Sequence, residues 1–466
     1  MPEENPSDGS KFKTFITILK KFIGVADLAS VRFSLPSQLL EPTPNLEYWN
    51  YLDVPNAFVA IGTADEPLDR MLEVLRFWFT KDLKYIKGKP CKPYNSCLGE
   101  FFRCNWETEN NAPPICTGSL AGSSSSSSSV KSVKSASASA AVNGNANAST
   151  PSLTVPQHPA TPRPEHLVRV SYLTEQTSHH PPVSAFHVSC PERGLTARGF
   201  DQITAKFTGT TIKVSPGEHN MGIFITLDRR DGETYQLTHP AAHLGGFLRG
   251  NLNISVSEVA YVTCPQTKLK AILSYVEEGW LGNRTNKVEG VIFRYDPEND
   301  YKTRIRDVPD EDVLARLSGP WKEKIVLTLG PKPVASHPAE AQYTVIDLAP
   351  LSVAPKVIPP RESQLPNESL TMWAGVTDAI LAKQFSKATT VKMELEEAQR
   401  EKAREREKEG VEWKPAYFRN VTGNGGRPEL TDEGREVLRR AQEGNWDMNG
   451  IGGAGEVSKV DKEGED

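Results

Sequence analysis

The pattern of apolar and polar positions predicts a helix near the start of the chain. Apolar residues recur on one face of residues 11–26, KFKTFITILKKFIGVA, and lysines fall mostly off that face. Such a helix can dock on its own protein or lie on an anionic membrane surface, and the pattern leaves both open. The predicted lid or membrane-facing positions are Phe12, Phe15, Ile16, Leu19, Phe22 and Ile23.

Most of the remaining pattern predicts strands. A buried helix is predicted over 68–79, but residues 166–295 hold short β-branched and aromatic segments separated by Gly, Pro, Asn and Asp turns. Several of these segments, such as VSAFHVS and LKAILSYV, are apolar on both faces. We therefore predict a mainly β fold with added helices: a large, nearly closed antiparallel barrel, covered outside and enclosing an apolar interior.

Composition divides the chain into six predicted regions. The Ser-, Ala- and Pro-rich stretch cannot bury enough apolar surface to fold, and the late helices carry charges of alternating sign. The regions are an N-terminal tail and lid (1–30), helices and first strands (31–116), a disordered insert (117–165), the barrel core (166–330), a C-terminal helical part (331–440) and a disordered tail (441–466).

Charge and cysteine content exclude several classes of protein. The net charge of the 466 residues is −5, so no overall basic field favours nucleic acid. No secretory signal and no run of about 18 apolar residues occurs, and the six cysteines lack CxxC spacing. The sequence thus predicts a cytosolic protein with reduced thiols, no metal site and no cofactor.

The segment EQTSHHPP is the first candidate site. Pro181 and Pro182 fix their own φ and donate no N–H, so His179 and His180 should lie at a strand start or at the rim of a sheet. No metal-ligand spacing or nucleophile elbow accompanies the two imidazoles. They can bind an anion such as phosphate, or they can simply cap the fold.

Two further clusters are weak when taken alone. Lys392, Glu396 and Arg400 fall at four-residue steps on one helix face, which also describes an exposed ion-pair ladder that Arg404 would extend. Lys92 and Asn95 border a tight turn in KPYNSCLGE.

Together these stretches resemble the oxysterol-binding-protein-related lipid-transfer family. EQTSHHPP is similar to its EQ-x-SHHPP signature, and KPYNSCLGE, KMELEEAQR and WKPAYF follow in the family's order. The resemblance covers about residues 10–420 and points to the short, ligand-domain-only members. It implies a non-enzymatic protein with a barrel around a lipid tunnel and phosphatidylinositol 4-phosphate bound at its mouth. The implied headgroup residues are Lys92, Asn95, His179, His180, Lys392, Glu396 and Arg400.

The resemblance leaves the second lipid open. Ser96 and Cys97 stand where the family usually has a proline and an apolar residue, and Ile86-Lys87 replaces a Gln-Tyr pair of some sterol-binding members. Sterol is the first candidate for exchange, and phosphatidylserine is the alternative. A lipid sensor without net transport and a histidine-dependent phosphatase are the competing functions. Peripheral association with endoplasmic reticulum, Golgi or plasma membrane contacts is expected, and protein partners and oligomeric state stay open.

Overall fold

Seventeen strands join into one large sheet in the computed structural model of the protein. The structure describes residues 14, 17–28, 37, 40–88, 92–118, 154–156, 166–246, 253–276, 286–422 and 424–451. The first strands are β1 (Phe101–Thr108), β2 (Thr154–Pro156), β3 (Val168–His179), β4 (Pro182–Cys190), β5 (Leu195–Asp201), β6 (Ile203–Phe207), β7 (Ile212–Pro216), β8 (Ile223–Leu227) and β9 (Glu233–Leu237).

The later strands complete the sheet, and two very short strands form a separate ribbon. The sheet continues with β10 (Ala241–Gly245), β11 (Asn253–Cys264), β12 (Leu269–Tyr275), β13 (Lys287–Arg294), β14 (Val313–Pro320), β15 (Lys324–Leu329), β16 (Tyr343–Asp347) and β17 (Lys356–Ile358). The ribbon pairs β18 (Phe418–Arg419) with β19 (Glu429–Leu430).

Strand pairing follows an antiparallel path around a barrel. From β1 the path runs through β3, β4, β5, β8 and β9 to β11, and then through β12, β13, β14 and β15 to β16. On its other side β1 contacts β17, which pairs in parallel with β2. Among the described strands no pairing joins β16 to β17 or β2, so the predicted barrel is nearly closed but keeps a seam.

A smaller sheet extends the barrel wall where β5 continues into β6. The strands β6, β7 and β10 pair in this order, and β10 reaches the first half of β11. The second half of β11 pairs with β9 and β12. One long strand thus belongs to both the barrel and the extension.

Helices precede and follow the strands. The early ones are α1 (Asn45–Tyr48), α2 (Pro55–Val59), α3 (Pro67–Thr80) and α4 (Lys84–Lys87), and the late ones are α5 (Ser369–Met372), α6 (Ala374–Leu381), α7 (Phe385–Glu409) and α8 (Asp432–Glu443). The helix predicted over 68–79 is confirmed as α3, which starts at a proline as helices often do. Every α3 residue from Asp69 to Thr80 is buried, and the helix packs against β12 and β16.

Both faces of the central strands are covered, as the sequence predicts. On β3, Val170 and Tyr172 face the main core with α3, whereas Leu173 faces a second cluster formed with the C-terminal segment. The C-terminal residues of that cluster are Tyr417, Phe418, Val437, Leu438, Met448 and Ile451. Residues 441–451 therefore pack against the barrel, and the prediction of disorder from 441 onward is wrong for them. The sequence pattern does not show this packing, because the apolar residues of this segment are isolated within a polar, glycine-rich stretch and only tertiary contacts bury them.

Two predicted boundaries differ from the structure. Strands β16 and β17 lie inside 331–440, and the late helices begin only at Ser369. Strand β2 lies inside the predicted insert, of which residues 119–153 and 157–165 lie outside the described residues. Within the part that the structure describes, no helix has the length and apolarity needed to cross a bilayer, and no cluster of potential metal ligands occurs.

The N-terminal segment docks on the sheet extension. Residues 17–20 are helical, and Leu19 packs with Leu28 against Phe207 and Ile212. The backbone N–H of Leu28 donates to the Ala205 carbonyl at 2.6 Å. Phe22 is partly buried in the same cluster, whereas Ile23 is 61% exposed. The predicted lid positions Phe12, Phe15 and Ile16 lie outside the described residues.

Candidate functional site

The paired histidines lie at the rim of the barrel. Strand β3 ends at His179, a tight turn holds His180 and Pro181, and β4 begins at Pro182. His179 stands opposite Pro182 in the hairpin, so the histidines follow the end of β3 at the rim, and the next strand starts only at Pro182. Both imidazoles are exposed, and their ring centroids lie 4.7 Å apart in a T-shaped arrangement. The hairpin therefore presents two adjacent rings to solvent.

Gln176 connects the histidines to the turn that contains Lys92 and Asn95. Its side-chain amide lies 3.2 Å from His179 Nδ1, and its Oε1 accepts a hydrogen bond from the Ser96 hydroxyl. Its backbone N–H donates to the Glu100 carbonyl at 2.8 Å, and its carbonyl accepts from Gly99 at 3.0 Å. The segments 92–100 and 175–182, which are distant in sequence, are thus adjacent at the rim.

The turn holds its lysine and asparagine together. Lys92 Nζ donates to Asn95 Oδ1 at 2.6 Å and to the Pro93 carbonyl at 3.1 Å. Asn95 is exposed, and the Asn45 amide supports the turn from behind by donating to the Ser96 hydroxyl at 3.4 Å. The turn therefore presents the Lys92 ammonium group and the Asn95 amide at its surface.

Helix α7 brings Lys392 and Glu396 to the same turn. Lys392 is buried, and its Nζ donates to Glu396 Oε1 at 2.7 Å. Burial, then Glu100 and Glu396, raise the pKa of the Cys97 thiol, and Lys392 opposes this rise, so the helix and turn are electrostatically coupled. Apolar residues of the turn and of the helix also share one cluster, among them Tyr94, Cys97, Ala388, Val391 and Leu395.

Arg400 lies on the exposed part of the same helix. Its Nε donates to Glu397 Oε2 at 2.8 Å, and Arg404 binds Glu397 and Glu401. The exposed part of the helix thus carries ion pairs, but they run through Glu397 and Glu401 and not through the Glu396–Arg400 step of the ladder that the sequence suggested. The structure joins Lys392 to Glu396 and shows Arg400 paired with Glu397 instead, so the headgroup role of Arg400 stays a prediction.

Glu175, the first residue of EQTSHHPP, anchors a second segment of the resemblance. Its carboxylate accepts the backbone N–H groups of Ala416 and Tyr417, both at 2.8 Å. Burial raises the pKa of Glu175 to about 7, although these bonds oppose the rise. The glutamate therefore fixes WKPAYF against the end of β3.

Glu100 has the corresponding role in KPYNSCLGE. It accepts the Cys97 backbone N–H at 2.8 Å, the Ser369 hydroxyl at 2.6 Å and the Trp373 indole N–H at 3.1 Å. Burial raises the pKa of Glu100 to about 7. Sequence reasoning did not assign roles to Gln176, Ser96 or Glu100, although all three lie inside the quoted motifs.

Comparison with known proteins assigns nearly the whole chain to the family that its motifs resemble. The profile of the family described as oxysterol-binding protein matches residues 14–379 and 376–450. The chain belongs to the oxysterol-binding protein family. The Schizosaccharomyces pombe oxysterol-binding protein-like protein 1 is 40% identical over 478 residues, covering 92% of this chain and 91% of that protein. Human oxysterol-binding protein-related protein 11 is 29% identical over 390 residues, covering 83% of this chain and 45% of that protein.

Solved structures of the family share the fold. The Osh1 ORD domain in complex with cholesterol aligns with a TM-score of 0.62 at 17% identity, covering 95% of this chain and 91% of that one. The Osh3 ORD of Saccharomyces cerevisiae in complex with PI(4)P aligns with a TM-score of 0.57 at 17% identity, covering 92% and 93%. The predicted fold class is confirmed.

This family member also holds a polar cluster next to its main core. The Tyr51 hydroxyl donates to Asp201, and the Tyr51 ring stacks on His239 at 5.3 Å. Lys81 Nζ lies 4.5 Å from the centroid of the Trp78 ring. Burial raises the pKa of Asp201 to about 7 and lowers that of His239 to about 3, so near pH 7 His239 is uncharged and a substantial fraction of Asp201 keeps its proton. No sequence motif indicated this cluster.

Proposed function

We propose that this protein binds phosphatidylinositol 4-phosphate at the rim and exchanges it between membranes for a second lipid held in the barrel. Two sets of contacts carry the proposal: Lys92 binds Asn95, and the next residue, Ser96, is connected by hydrogen bonds through Gln176 to His179. They gather into one place residues that the family resemblance assigns to a headgroup. The cytosolic faces of membrane contacts are the expected place of action.

The chemistry of the rim suits an inositol phosphate. Two imidazoles and the Lys92 ammonium are hydrogen-bond donors, and charge-assisted bonds to phosphate are among the strongest that proteins make. Asn95 can bind inositol hydroxyls. Lys392 adds positive charge from α7, and Glu396 orients it at 2.7 Å. Arg400 would join this set if its side chain leaves Glu397 when the headgroup binds.

Sterol is the first candidate for the second lipid. The Osh1 domain, which shares the fold, was solved with cholesterol and with ergosterol. Enclosing about 400 Å² of apolar lipid surface would stabilise the complex by roughly 10 kcal/mol at about 25 cal/mol per Å². That gain offsets much of the cost of extracting a lipid from a bilayer. Phosphatidylserine is the alternative, and a lipid-retention assay on the purified protein distinguishes the two.

The site is tested by the double substitution His179→Ala/His180→Ala in a liposome extraction assay. Loss of two donors to phosphate should reduce phosphatidylinositol 4-phosphate extraction by about tenfold or more. Extraction of the second lipid should persist, because the rings lie at the rim. The matched control is His166→Ala, which removes an exposed imidazole paired with Glu109 at 2.9 Å. Undiminished phosphoinositide extraction by the double variant would reject the proposed site.

Exchange is distinguished from sensing by turnover. Two liposome populations, one containing phosphatidylinositol 4-phosphate and one containing the second lipid, are mixed with substoichiometric protein. An exchanger moves many lipids per protein molecule in both directions. A single stoichiometric uptake without further transfer would instead identify a sensor that uses the same site.

A further inference from the structure

A polar pocket of about 180 Å³ lies on the outer face of the sheet. Strands β5, β8, β9 and β11 form its floor with the side chains that alternate with the inward-facing core residues. Strand register sets Arg198 opposite Phe224 and Thr226 opposite Thr234. Arg427, from the segment between β18 and β19, lines the pocket with them. The pocket is thus separated from the barrel interior by the sheet itself.

Two guanidinium groups face this pocket. The Arg427 guanidinium lies 4.5 Å from the centroid of the Phe224 ring, a distance at which the ring attracts the cation. Arg198 donates a long hydrogen bond of 3.4 Å to the Pro428 carbonyl. Burial and then the charge of Arg427 lower the pKa of Arg198, and Glu429 opposes this effect. The two arginines are therefore close enough to repel each other.

The protein leaves this charge only partly compensated. No carboxylate lines the pocket, and Glu429 already binds Asn420 at 3.0 Å and Arg419 at 3.3 Å. Within the described residues, no hydrogen bond or ion pair engages the Arg427 guanidinium. In a chain of net charge −5, such a pair creates a local positive field that attracts anions.

Apart from Pro265, the remaining lining groups are polar. Thr226, Thr234 and Thr263 contribute hydroxyls, and Gln236 and Gln266 contribute amides. Planar guanidinium forks match the oxygens of a phosphate group and bind them bidentately. Pockets that enclose a drug-sized molecule measure roughly 300–1,000 Å³. This smaller one suits a single compact headgroup.

We propose that this outer pocket is a second anion site, in which Arg198 and Arg427 bind one phosphate monoester group. The group can belong to a soluble phosphate compound or to a lipid headgroup at a membrane surface. The site does not depend on the rim site or on lipid exchange, because a different face of the sheet forms it.

Inorganic phosphate is the first probe, with binding measured by calorimetry and by the rise in melting temperature at low ionic strength. The intact protein should show saturable binding that weakens with added salt. Arg427 is exposed, so Arg427→Gln should fold normally and weaken binding by about tenfold or more. Arg427→Lys keeps the charge without the fork and should bind with intermediate affinity. The matched control Arg439→Gln removes an exposed arginine of α8 and should bind like the intact protein.

Two further measurements identify the source of the phosphate and separate this site from the rim. Vesicles containing phosphatidic acid that bind the intact protein but not Arg427→Gln identify a lipid headgroup, whereas binding of glycerol phosphate without vesicle binding identifies a soluble compound. His179→Ala/His180→Ala should keep its affinity for inorganic phosphate. The proposal is overturned if phosphate does not bind the intact protein, or if it binds Arg427→Gln equally well.

Discussion

Glu100 and Glu175 show how single residues prepare the rim for an anion. Each carboxyl lies inside one of the two motifs that carry the site, yet each accepts hydrogen bonds from the protein itself. Burial raises both pKa values to about 7, so a substantial fraction of each group is neutral at that pH. Buried carboxyls can therefore hold the motifs together without placing two full negative charges beside the proposed headgroup site.

The same effect of burial on Asp201 predicts how folding stability depends on pH. Burial raises the pKa of Asp201 from 3.8 to about 7. Because the folded carboxyl binds its proton more tightly than the unfolded one, this stabilisation is complete below pH 3.8 and is lost as the pH rises to about 7. Asp201→Asn keeps an acceptor for the Tyr51 hydroxyl but has no proton to lose.

Urea unfolding at about pH 5 and about pH 8 checks this sign. From the lower to the higher pH, the free energy of unfolding should fall more in the intact protein than in Asp201→Asn, by on the order of 2 kcal/mol. Asp228→Asn, at an exposed aspartate, should leave the pH dependence unchanged. Parallel curves for the intact protein and Asp201→Asn would show that Asp201 does not bind a proton on folding.

At the scale of elements, periodic segments were predictable and long-range contacts were not. The helix over 68–79 and the strands VSAFHVS and LKAILSYV carry their pattern locally, and they appear as α3, β4 and β12. Strands β16 and β17 are short, and β17 pairs with β1 and β2, which lie far away in sequence. Trp446, Met448 and Ile451 give no periodic signal, because only contact with the rest of the fold buries them.

The sequence predicted the two histidines of the site but not the hydrogen bonds that connect them to the other motif. The two prolines indicate a strand start or a rim by local backbone chemistry alone. The bond from Ser96 to Gln176 joins positions that are 80 residues apart, and no single-sequence pattern encodes such a pairing. Lys392 is buried and Arg400 is exposed, although both lie on the same predicted stripe of one helix face. Only the three-dimensional structure shows this difference.

The β8–β9 hairpin offers a matched pair of glycines for a test of element geometry. Gly222 has φ +109, and a Cβ there would lie 2.1 Å from the Leu237 carbonyl oxygen. Gly232, in the turn of the same hairpin, has φ +73 and nothing within 4 Å of such a Cβ. Gly232→Ala should therefore lower the free energy of unfolding by about 1 kcal/mol, and Gly222→Ala by more than about 3 kcal/mol, because it adds a backbone clash. Equal losses in urea unfolding would mean that β8 and β9 are not this close at Gly222.

At the scale of the whole molecule, the N-terminal segment has one buried face and one exposed face. Its buried side packs on β6, β7 and β10 through Leu19 and Leu28, and the Asp27 carboxylate accepts the Ala205 backbone N–H at 2.7 Å. Its other side exposes Ile23 beside Lys20 and Lys21. One short segment thus has one face for the protein and another that suits an anionic bilayer.

These two faces should respond differently to the same chemical change. Leu19 is 1% exposed, so Leu19→Asp buries a carboxylate without a partner and should undock the segment, which speeds limited proteolysis within 17–28. Ile23 is 61% exposed, so Ile23→Asp should leave proteolysis unchanged. It should weaken binding to anionic vesicles by about tenfold, because an apolar side chain no longer enters the interface and a negative charge is added near anionic lipid.

Faster proteolysis of Ile23→Asp, or vesicle binding that is unaffected by it, would contradict this division. Loss of vesicle binding only in Leu19→Asp would mean that the docked face, rather than the exposed one, meets the membrane.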